Sequence, residues 1–348
     1  MVDLSKYDPD SVSNPDNNIF GFPTNEDDAR LIIVPVPWEV TVRYGVGTAR
    51  APEVIFKASL QVDMFDPEMP EGWKQGIYMR QSDRKVLMKS DYLRKEAELY
   101  IDYISRGEDV AANQFMNKTM KEVNEGSAFL NNWVYEQTKV LLDKNKLVAI
   151  LGGDHSTSLG YFKAIAEHHN DFGILQIDAH SDLRDTYEGF HYSHAGVMYN
   201  ALKEIPKLTH LIQLGVRDFS SKEMEFVKNS NDRVITYYDK EIRTRQFEGE
   251  SWKHIVREIV GKLPQKVLIS FDIDGLDPKL CPNTGTPVQG GLETEQVFYL
   301  FNKILESGKK IIGFDLTEVG VGETDWDANV GARILLKLSN LLIASNTP

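Results

Sequence analysis

The stretch LVAILGGDHS, residues 147–156, decides the fold of this chain. It is a short apolar run that stops at two glycines and is followed by a carboxylate and an imidazole. Two later stretches repeat the pattern, FGILQIDAHSD at 172–182 and KVLISFDID at 266–274. Apolar runs of this length are typical of parallel strands buried on both faces. Because ligands of open α/β sheets lie beyond the carboxyl ends of the strands, we expect these three ends to meet in one crevice.

The polar residues that end these runs are of the types that bind metals. Side chains at i, i+2 and i+4 of an extended chain face the same side, so each polar run can converge on one point. Carboxylates with imidazoles suit Mn²⁺ or a similar ion, and six ligands exceed what one ion needs. Two ions roughly 3.5–4 Å apart can hold a hydroxide and polarise an electrophile, which favours hydrolysis. The predicted metal ligands are His155, Asp178, His180, Asp182, Asp272 and Asp274.

Composition narrows the class of protein. The chain has 348 residues, 41% hydrophobic and 26% charged, as in ordinary soluble globular proteins. A net charge of −13 argues against a nucleic-acid partner and would attract a cationic substrate. The single cysteine, Cys281, excludes an intrachain disulfide and a cysteine-based zinc site. The first residues do not resemble a signal peptide, and no apolar run approaches the ~20 residues of a membrane span, so we expect a cytoplasmic protein without a membrane partner.

The pattern of elements predicts one domain over residues 1–348. Residues 1–28 are turn-rich and form an arm over the surface or against another subunit. Residues 62–145 carry little strand signal and read as a helical elaboration. From Leu147 onward strands and helices alternate, which predicts an α/β fold. Strands are expected near 31–35, 147–151, 172–177, 210–215, 233–237, 266–272 and 310–315, and helices near 52–58, 91–104, 127–144, 157–168, 222–229, 250–263, 293–307 and 328–344.

At these residues the chain resembles the ureohydrolase family, which includes arginases, agmatinases and formiminoglutamases. The three stretches match the family's Gly-Gly-Asp-His-Ser, Asp-Ala-His-x-Asp and Ser-x-Asp-x-Asp-x-x-Asp-Pro patterns. LGVR at 214–217 and DLTEV at 315–319 also agree, as does the glycine-rich turn at 44–59. The resemblance covers about residues 30–60 and 147–344, whereas 62–145 matches poorly.

The resemblance implies a fold and a cofactor. The fold would be a three-layer α/β/α sandwich with a mainly parallel sheet, and the cofactor two Mn²⁺ ions per subunit. Asp178 and Asp272 would bridge the two ions. The family forms trimers and hexamers, which implies a homo-oligomer. One ion would be held by His155, Asp178, Asp182 and Asp272, and the other by Asp178, His180, Asp272 and Asp274.

The resemblance also implies a mechanism. A metal-bridging hydroxide would attack the guanidinium carbon, and the intermediate would collapse to an amine and urea. Glu318 would bind the guanidinium, because a carboxylate accepts two parallel N–H bonds from that planar group. His194 would transfer a proton to the leaving amine, a role that suits a side chain with a pKa near neutrality. His191 lies close enough in sequence to compete for this role.

The loop after DAHSD bears on the substrate. It reads LRDTYEGFHY, residues 183–192, without the asparagine that arginases use there, and it looks more like a subset of agmatinases. Asp185 and Glu188 would meet the ammonium of agmatine or form a solvated acidic turn, and Arg184 is the obvious cation for a dicarboxylate substrate. The predicted reaction is agmatine to putrescine and urea, in polyamine biosynthesis. The alternatives are an arginase, a guanidinobutyrase, another guanidine hydrolase, a formiminoglutamase or a catalytically silent metal-binding regulatory subunit.

Overall fold

A computed structural model describes residue 8 and residues 10–347. Within these residues, eight strands form one sheet in which every neighbouring pair is parallel. The strands are β1 (Leu31–Val36), β2 (Ile77–Met79), β3 (Leu147–Gly152), β4 (Phe172–Ile177), β5 (Leu208–Leu214), β6 (Val234–Tyr237), β7 (Lys266–Asp272) and β8 (Lys310–Thr317). Their order across the sheet is β2-β1-β3-β8-β7-β4-β5-β6. The last strand in sequence therefore occupies the middle of the sheet.

Helices cover both faces of the sheet. They are α1 (Ala51–Ser59), α2 (Arg84–Ser105), α3 (Gln114–Asp143), α4 (Leu159–His168), α5 (Val197–Glu204), α6 (Ser221–Lys228), α7 (Asp239–Phe247), α8 (Trp252–Lys262), α9 (Thr294–Glu306) and α10 (Trp326–Ala344). None of these helices has the length and apolar character that crossing a bilayer requires.

Alternate residues of each strand enter two separate cores. On β1, Leu31 and Ile33 pack in the core shared with α1, α8, α9 and α10, whereas Ile32 and Val34 pack in the core shared with α2 to α5. This alternation follows from the two-residue period of a strand. Since both faces are covered, β3 and β4 are buried along almost their whole length and are mostly apolar. The predicted three-layer α/β/α fold is confirmed, and the sheet is parallel throughout rather than mainly parallel.

The region 62–145 contains β2, α2 and α3. Each of the two long helices begins at a side-chain cap. Asp83 Oδ1 accepts hydrogen bonds from the backbone N–H groups of Lys85 and Val86, and Asn113 caps α3 in the same way. The helices run for 22 and 30 residues, longer than their apolar periodicity suggested. They pack against each other and on α4, over the core that contains Ile32 and Val34.

Part of the predicted arm, residues 1–7 and 9, lies outside the described residues. The following segment packs on its own chain. Asn18 Oδ1 accepts a hydrogen bond from Met79 N at 2.7 Å, and its Nδ2 donates to Met79 O at 3.1 Å. Phe20 and Phe22 are fully buried. The segment therefore continues the core beside the edge strand β2.

Candidate metal centre and cleft

The four central strands bring the candidate residues together. The carboxyl ends of β3, β8, β7 and β4 are adjacent in the sheet, so the segments that follow them meet at one edge. Asp272 pairs with Thr317, the residue before Glu318. Ile177 pairs with Phe271, so Asp178 lies level with Asp272. The strand register thus places Asp178, Asp272 and Glu318 close together at the carboxyl edge of the sheet.

All six predicted metal ligands lie in one cluster around two imidazoles. His155 Nδ1 lies 2.8 Å from Asp182 Oδ2, 3.1 Å from Asp178 Oδ2 and 3.4 Å from Asp272 Oδ2. His180 Nδ1 lies 3.0 Å from Asp274 Oδ2 and 3.5 Å from Asp178 Oδ1. Asp178 therefore faces both imidazoles, one with each oxygen.

The surroundings of His155 fit a bound divalent cation. Its Nε2 lies 2.9 Å from Ser270 Oγ, and that hydroxyl donates a hydrogen bond to Asp315 Oδ1 at 3.0 Å. Its buried Nδ1 lies close to three carboxylate oxygens but forms a hydrogen bond of normal geometry with none of the described residues. With Nε2 held by Ser270, the Nδ1 lone pair is directed at carboxylate oxygens, as in a metal ligand set. Two groups can each hold an ion: His155, Asp178 and Asp182, and Asp178, His180 and Asp274.

The crowded carboxylates also require a counter-charge. Burial, reinforced by the charges of Asp274 and Asp178, raises the pKa of Asp272 well above its usual value. Burial and the charge of Asp178 raise the pKa of Asp182 to about 7. Protons would otherwise have to neutralise the cluster near neutral pH, whereas divalent cations remove the repulsion directly.

Glu318 presents one free oxygen to this cluster. Its backbone lies in the left-handed region at φ 60°, held by a 2.8 Å bond from its N–H to Gly153 O. Its Oε1 accepts a hydrogen bond from His155 N at 2.9 Å, whereas its buried Oε2 has no partner in the described structure. Burial and the nearby charge of Asp154 raise the pKa of Glu318 well above the usual range. Left-handed backbone at a non-glycine residue is strain of the kind that clusters at functional sites.

A cleft of about 360 Å³ opens above the metal ligands. Glu318 and five of the predicted metal ligands form its floor, namely His155, His180, Asp182, Asp272 and Asp274. Its other lining residues are Arg43, Tyr44, Arg184, Tyr187, His194, Ala195, Asp218, Glu223, Gly285, Thr286, Pro287 and Val288.

His194 lines the cleft and His191 does not. His194 Nδ1 lies 3.1 Å from Thr41 Oγ1, and Thr41 Oγ1 also accepts a hydrogen bond from His194 N at 3.2 Å. Burial lowers the pKa of His194 to about 3, below the near-neutral value expected for a proton-transfer group, so its free imidazole is neutral. His191 is exposed, and its N–H donates to Asn124 Oδ1. The structure therefore brings His194, rather than His191, to the metal cluster.

The loop at 183–192 brings only one of its three candidate substrate-binding residues to the cleft. Of the three loop residues predicted to meet the substrate, Arg184 lines the cleft, whereas Asp185 and Glu188 are not among the lining residues. Asp185 is exposed and lies 3.8 Å from Lys203 Nζ. Glu188 is half-buried behind the cleft and lies 3.4 Å from Arg43 Nη1.

Asp218 is a cleft residue that the sequence did not single out. It directly follows the Leu-Gly-Val-Arg motif and forms an isolated parallel bridge with His180. Its carboxylate is exposed, lines the cleft, and has no hydrogen bond or ion pair among the residues described. The other charges at the mouth have partners. Arg43 faces Glu188, and Arg184 Nε lies 3.8 Å from Glu223 Oε2.

Replacing Ser270 by alanine should weaken metal binding without unfolding the protein. The change removes the hydroxyl that holds His155 Nε2, so the ring loses its fixed orientation. Loss of such a support typically lowers metal affinity about 10–100-fold. Titration of the metal-free protein with Mn²⁺ measures the effect, and Ser307→Ala, an exposed serine after α9, is the control. Equal affinities for both variants would contradict a role for Ser270 in orienting His155.

Comparison with known proteins agrees with this geometry. The model of the arginase family matches residues 29–338. An N(1)-aminopropylagmatine ureohydrolase of Synechocystis is 26% identical over 304 residues, 85% of this chain and 83% of its own. An agmatinase of Neisseria meningitidis is 32% identical over 201 residues, 57% of this chain and 60% of its own. The solved structure of proclavaminate amidino hydrolase from Streptomyces clavuligerus superposes with a TM-score of 0.69 at 19% identity, covering 97% of each chain.

Fold, site and matched length together define the class of protein. The chain belongs to the arginase family and is a ureohydrolase of that family. The structural likeness at 19% identity supports the fold alone.

Proposed function

We propose that this ureohydrolase cleaves the guanidino C–N bond of agmatine, giving putrescine and urea, with two Mn²⁺ ions per subunit. The observation that carries the proposal is the free, buried Oε2 of Glu318 at the floor of a cleft lined by five of the six predicted metal ligands. A guanidinium is the planar cation that such a carboxylate binds well. A buried carboxylate oxygen without a hydrogen-bond partner destabilises the fold unless a bound ligand donates a hydrogen bond to it.

The ions and the chain's own residues divide the chemistry. When bound, a pair of divalent cations supplies a water-derived nucleophile at neutral pH and polarises the carbon that it attacks. His155, Asp178, Asp182 and Asp272 would hold one ion, and Asp178, His180, Asp272 and Asp274 the other. Glu318 would hold the guanidinium against them and fix its plane. Because Thr41 engages Nδ1 of His194, Nε2 is the ring atom that would pass a proton to the leaving amine.

We assign the distal ammonium of agmatine to Asp218. This carboxylate lines the mouth of the cleft and has no partner in the described part of the chain, whereas Arg43 and Arg184 each face a carboxylate. The assignment differs from the expectation for Asp185 and Glu188, which do not line the cleft. Tyr44 and Tyr187 line the same mouth and would contact the methylene chain.

Urea release by Mn²⁺-loaded protein tests the proposal. The panel is agmatine, N(1)-aminopropylagmatine, arginine, 4-guanidinobutanoate, 3-guanidinopropanoate and guanidine, with formamide release from formiminoglutamate measured beside them. We expect the highest kcat/KM with agmatine. Two bound metals with no turnover of any compound would refute the proposal and favour a regulatory subunit.

A guanidino carboxylate such as 4-guanidinobutanoate is a second candidate. Arg43 and Arg184 both line the mouth, and either could meet a carboxylate if it exchanged its present partner. A preference for 4-guanidinobutanoate over agmatine in the same panel would select this candidate.

Exchanging Asp218 for asparagine should impair only substrates whose tail carries a positive charge. We expect KM for agmatine to rise up to about fivefold, as is usual for one solvent-exposed ion pair, with kcat little changed. n-Butylguanidine, which keeps the guanidinium but has no charge on its tail, should react at the wild-type rate. Asp185→Asn is the matched control, since it removes the same charge from an exposed carboxylate outside the cleft. An equal rise in KM for both variants would indicate a general field effect and contradict the assignment.

We also propose that the protein forms a homo-oligomer, a trimer or hexamer, as the family resemblance implies. The molar mass in solution, measured by light scattering, tests this, and a mass near the 39.5 kDa of one chain would refute it.

A further inference from the structure

The loop between β4 and α5 contains a tight hairpin at residues 187–190. Tyr187 and Phe190 exchange two backbone hydrogen bonds, of 2.8 and 3.2 Å. The two residues between them have positive φ angles, 56° for Glu188 and 83° for Gly189. Positive φ at both central residues defines the tight turn whose twist matches that of paired strands. The hairpin therefore has a defined tip, formed by Glu188 and Gly189, and a defined base.

The base of the 187–190 hairpin forms part of the cleft wall. Tyr187 lines the cleft, and the Arg184 guanidinium carbon lies 5.0 Å from the centre of its ring. The ring of Tyr187 also stands nearly perpendicular to that of His194, with centroids 5.7 Å apart. The position of Tyr187 thus influences two further residues that line the cleft.

The tip is held from behind by α2 and α3. Asn124 of α3 donates from Nδ2 to Gly189 O at 3.0 Å, and its Oδ1 accepts from His191 N at 2.8 Å. One amide side chain therefore holds the backbone on both sides of buried Phe190, whose ring lies 5.3 Å from that of Tyr100 in α2. A Cβ on Gly189 would lie 2.7 Å from Tyr100 Oη, so the tip fits closely against the helices.

We infer that Asn124 is a positioning residue for substrate binding. By holding the tip of the 187–190 hairpin, it fixes the wall on which Tyr187 and Arg184 lie. The α2–α3 pair, residues 84–143, is then the rear support of the cleft. Since Asn124 does not line the cleft, its effect on the substrate passes through the hairpin. The kinetic part of this inference rests on the proposed function, whereas the structural part does not.

Hydrogen exchange tests the structural part on the full-length, metal-loaded protein. Asn124→Ala removes both bonds from the helix side. Gly189→Ala disturbs the same contact from the loop side. Its Cβ would collide with Tyr100, and the position has a positive φ that alanine disfavours. In both variants we expect exchange in peptides covering 184–196 to rise by about tenfold or more, with metal content unchanged. Asn132→Ala, an exposed asparagine of the same helix, should match the wild type.

Steady-state kinetics test the functional part. For the best substrate of the panel, we expect Asn124→Ala and Gly189→Ala to raise KM about tenfold while kcat changes less than about threefold, because the metal ligands stay in place. The inference would be overturned if these variants kept wild-type exchange in 184–196 or a wild-type KM. Faster exchange throughout the chain would overturn it as well. If wild-type protein hydrolyses no guanidino compound, the proposed function fails, and the exchange result alone decides whether Asn124 positions the hairpin.

Discussion

Asp178→Asn is expected to abolish turnover and metal loading together. Each oxygen of Asp178 faces a different imidazole, so the residue belongs to both candidate ion sites. Asparagine keeps the shape but removes the charge, and its amide nitrogen cannot ligate a metal. Metal-based stabilisation of a transition state is worth several kcal/mol, so kcat/KM should fall on the order of 10³-fold or more. Bound manganese, measured by mass spectrometry after desalting, should fall below one ion per chain.

The matched control lies at the other end of the same strand. Asp171 is exposed and immediately precedes β4, whereas Asp178 immediately follows β4. Asp171→Asn changes the net charge equally and should keep both metals and full activity. Full activity of Asp178→Asn with two bound ions would disprove the shared-ligand assignment.

Glu318→Gln is expected to separate substrate binding from metal binding. Glutamine can still accept the hydrogen bond from His155 N, so the floor of the cleft should keep its shape. The variant loses the charge that would pair with a guanidinium, at a cost of up to about 3 kcal/mol, or roughly 100-fold in kcat/KM. Two ions should remain bound, and calorimetry with Mn²⁺ measures this directly.

Glu323→Gln is the control for this second variant. Glu323 lies five residues later, in the same connection between β8 and α10, and is exposed. Its replacement should leave both kinetic constants unchanged. If Glu318→Gln keeps wild-type efficiency with every guanidino compound, Glu318 has no part in binding them.

The cluster of candidate metal ligands was predictable because its signal is local. Each polar run directly follows an apolar strand, and the side-chain period of an extended chain places its members on one side. Most helices covering the sheet were predicted where one face is apolar, but α5 was missed although Val197, Ala201 and Leu202 on it are buried. By contrast, α7 was not predicted, since only Asp239 and Ile242 of that helix are buried. The strand β2 was not predicted either, because three residues at the sheet edge carry almost no pattern.

The substrate side of the cleft was less predictable. The acidic composition of the loop at 183–192 suggested that Asp185 and Glu188 could meet the ammonium of the substrate. Instead, the positive φ angles at Glu188 and Gly189 reverse the chain, and the acidic side chains lie outside the cleft. Thr41 and Ser270 contact histidines that lie more than 100 residues away in sequence, and a single sequence does not reveal such pairs. The sequence therefore allowed the candidate metal ligands to be predicted, but not the residues that hold the site histidines in place.

The central place of β8 has a consequence for biosynthesis. Residues 310–317 pair with β3 on one side and β7 on the other. The two halves of the sheet therefore cannot join until this last strand has been synthesised. Until about residue 318 has left the ribosome, the growing chain holds two half-sheets with an open seam between them. His155 lies on one side of that seam and Asp178, Asp182 and Asp272 on the other. Ion capture should therefore follow chain release, and a chain truncated before β8 should remain an aggregation-prone substrate for chaperones rather than a smaller enzyme.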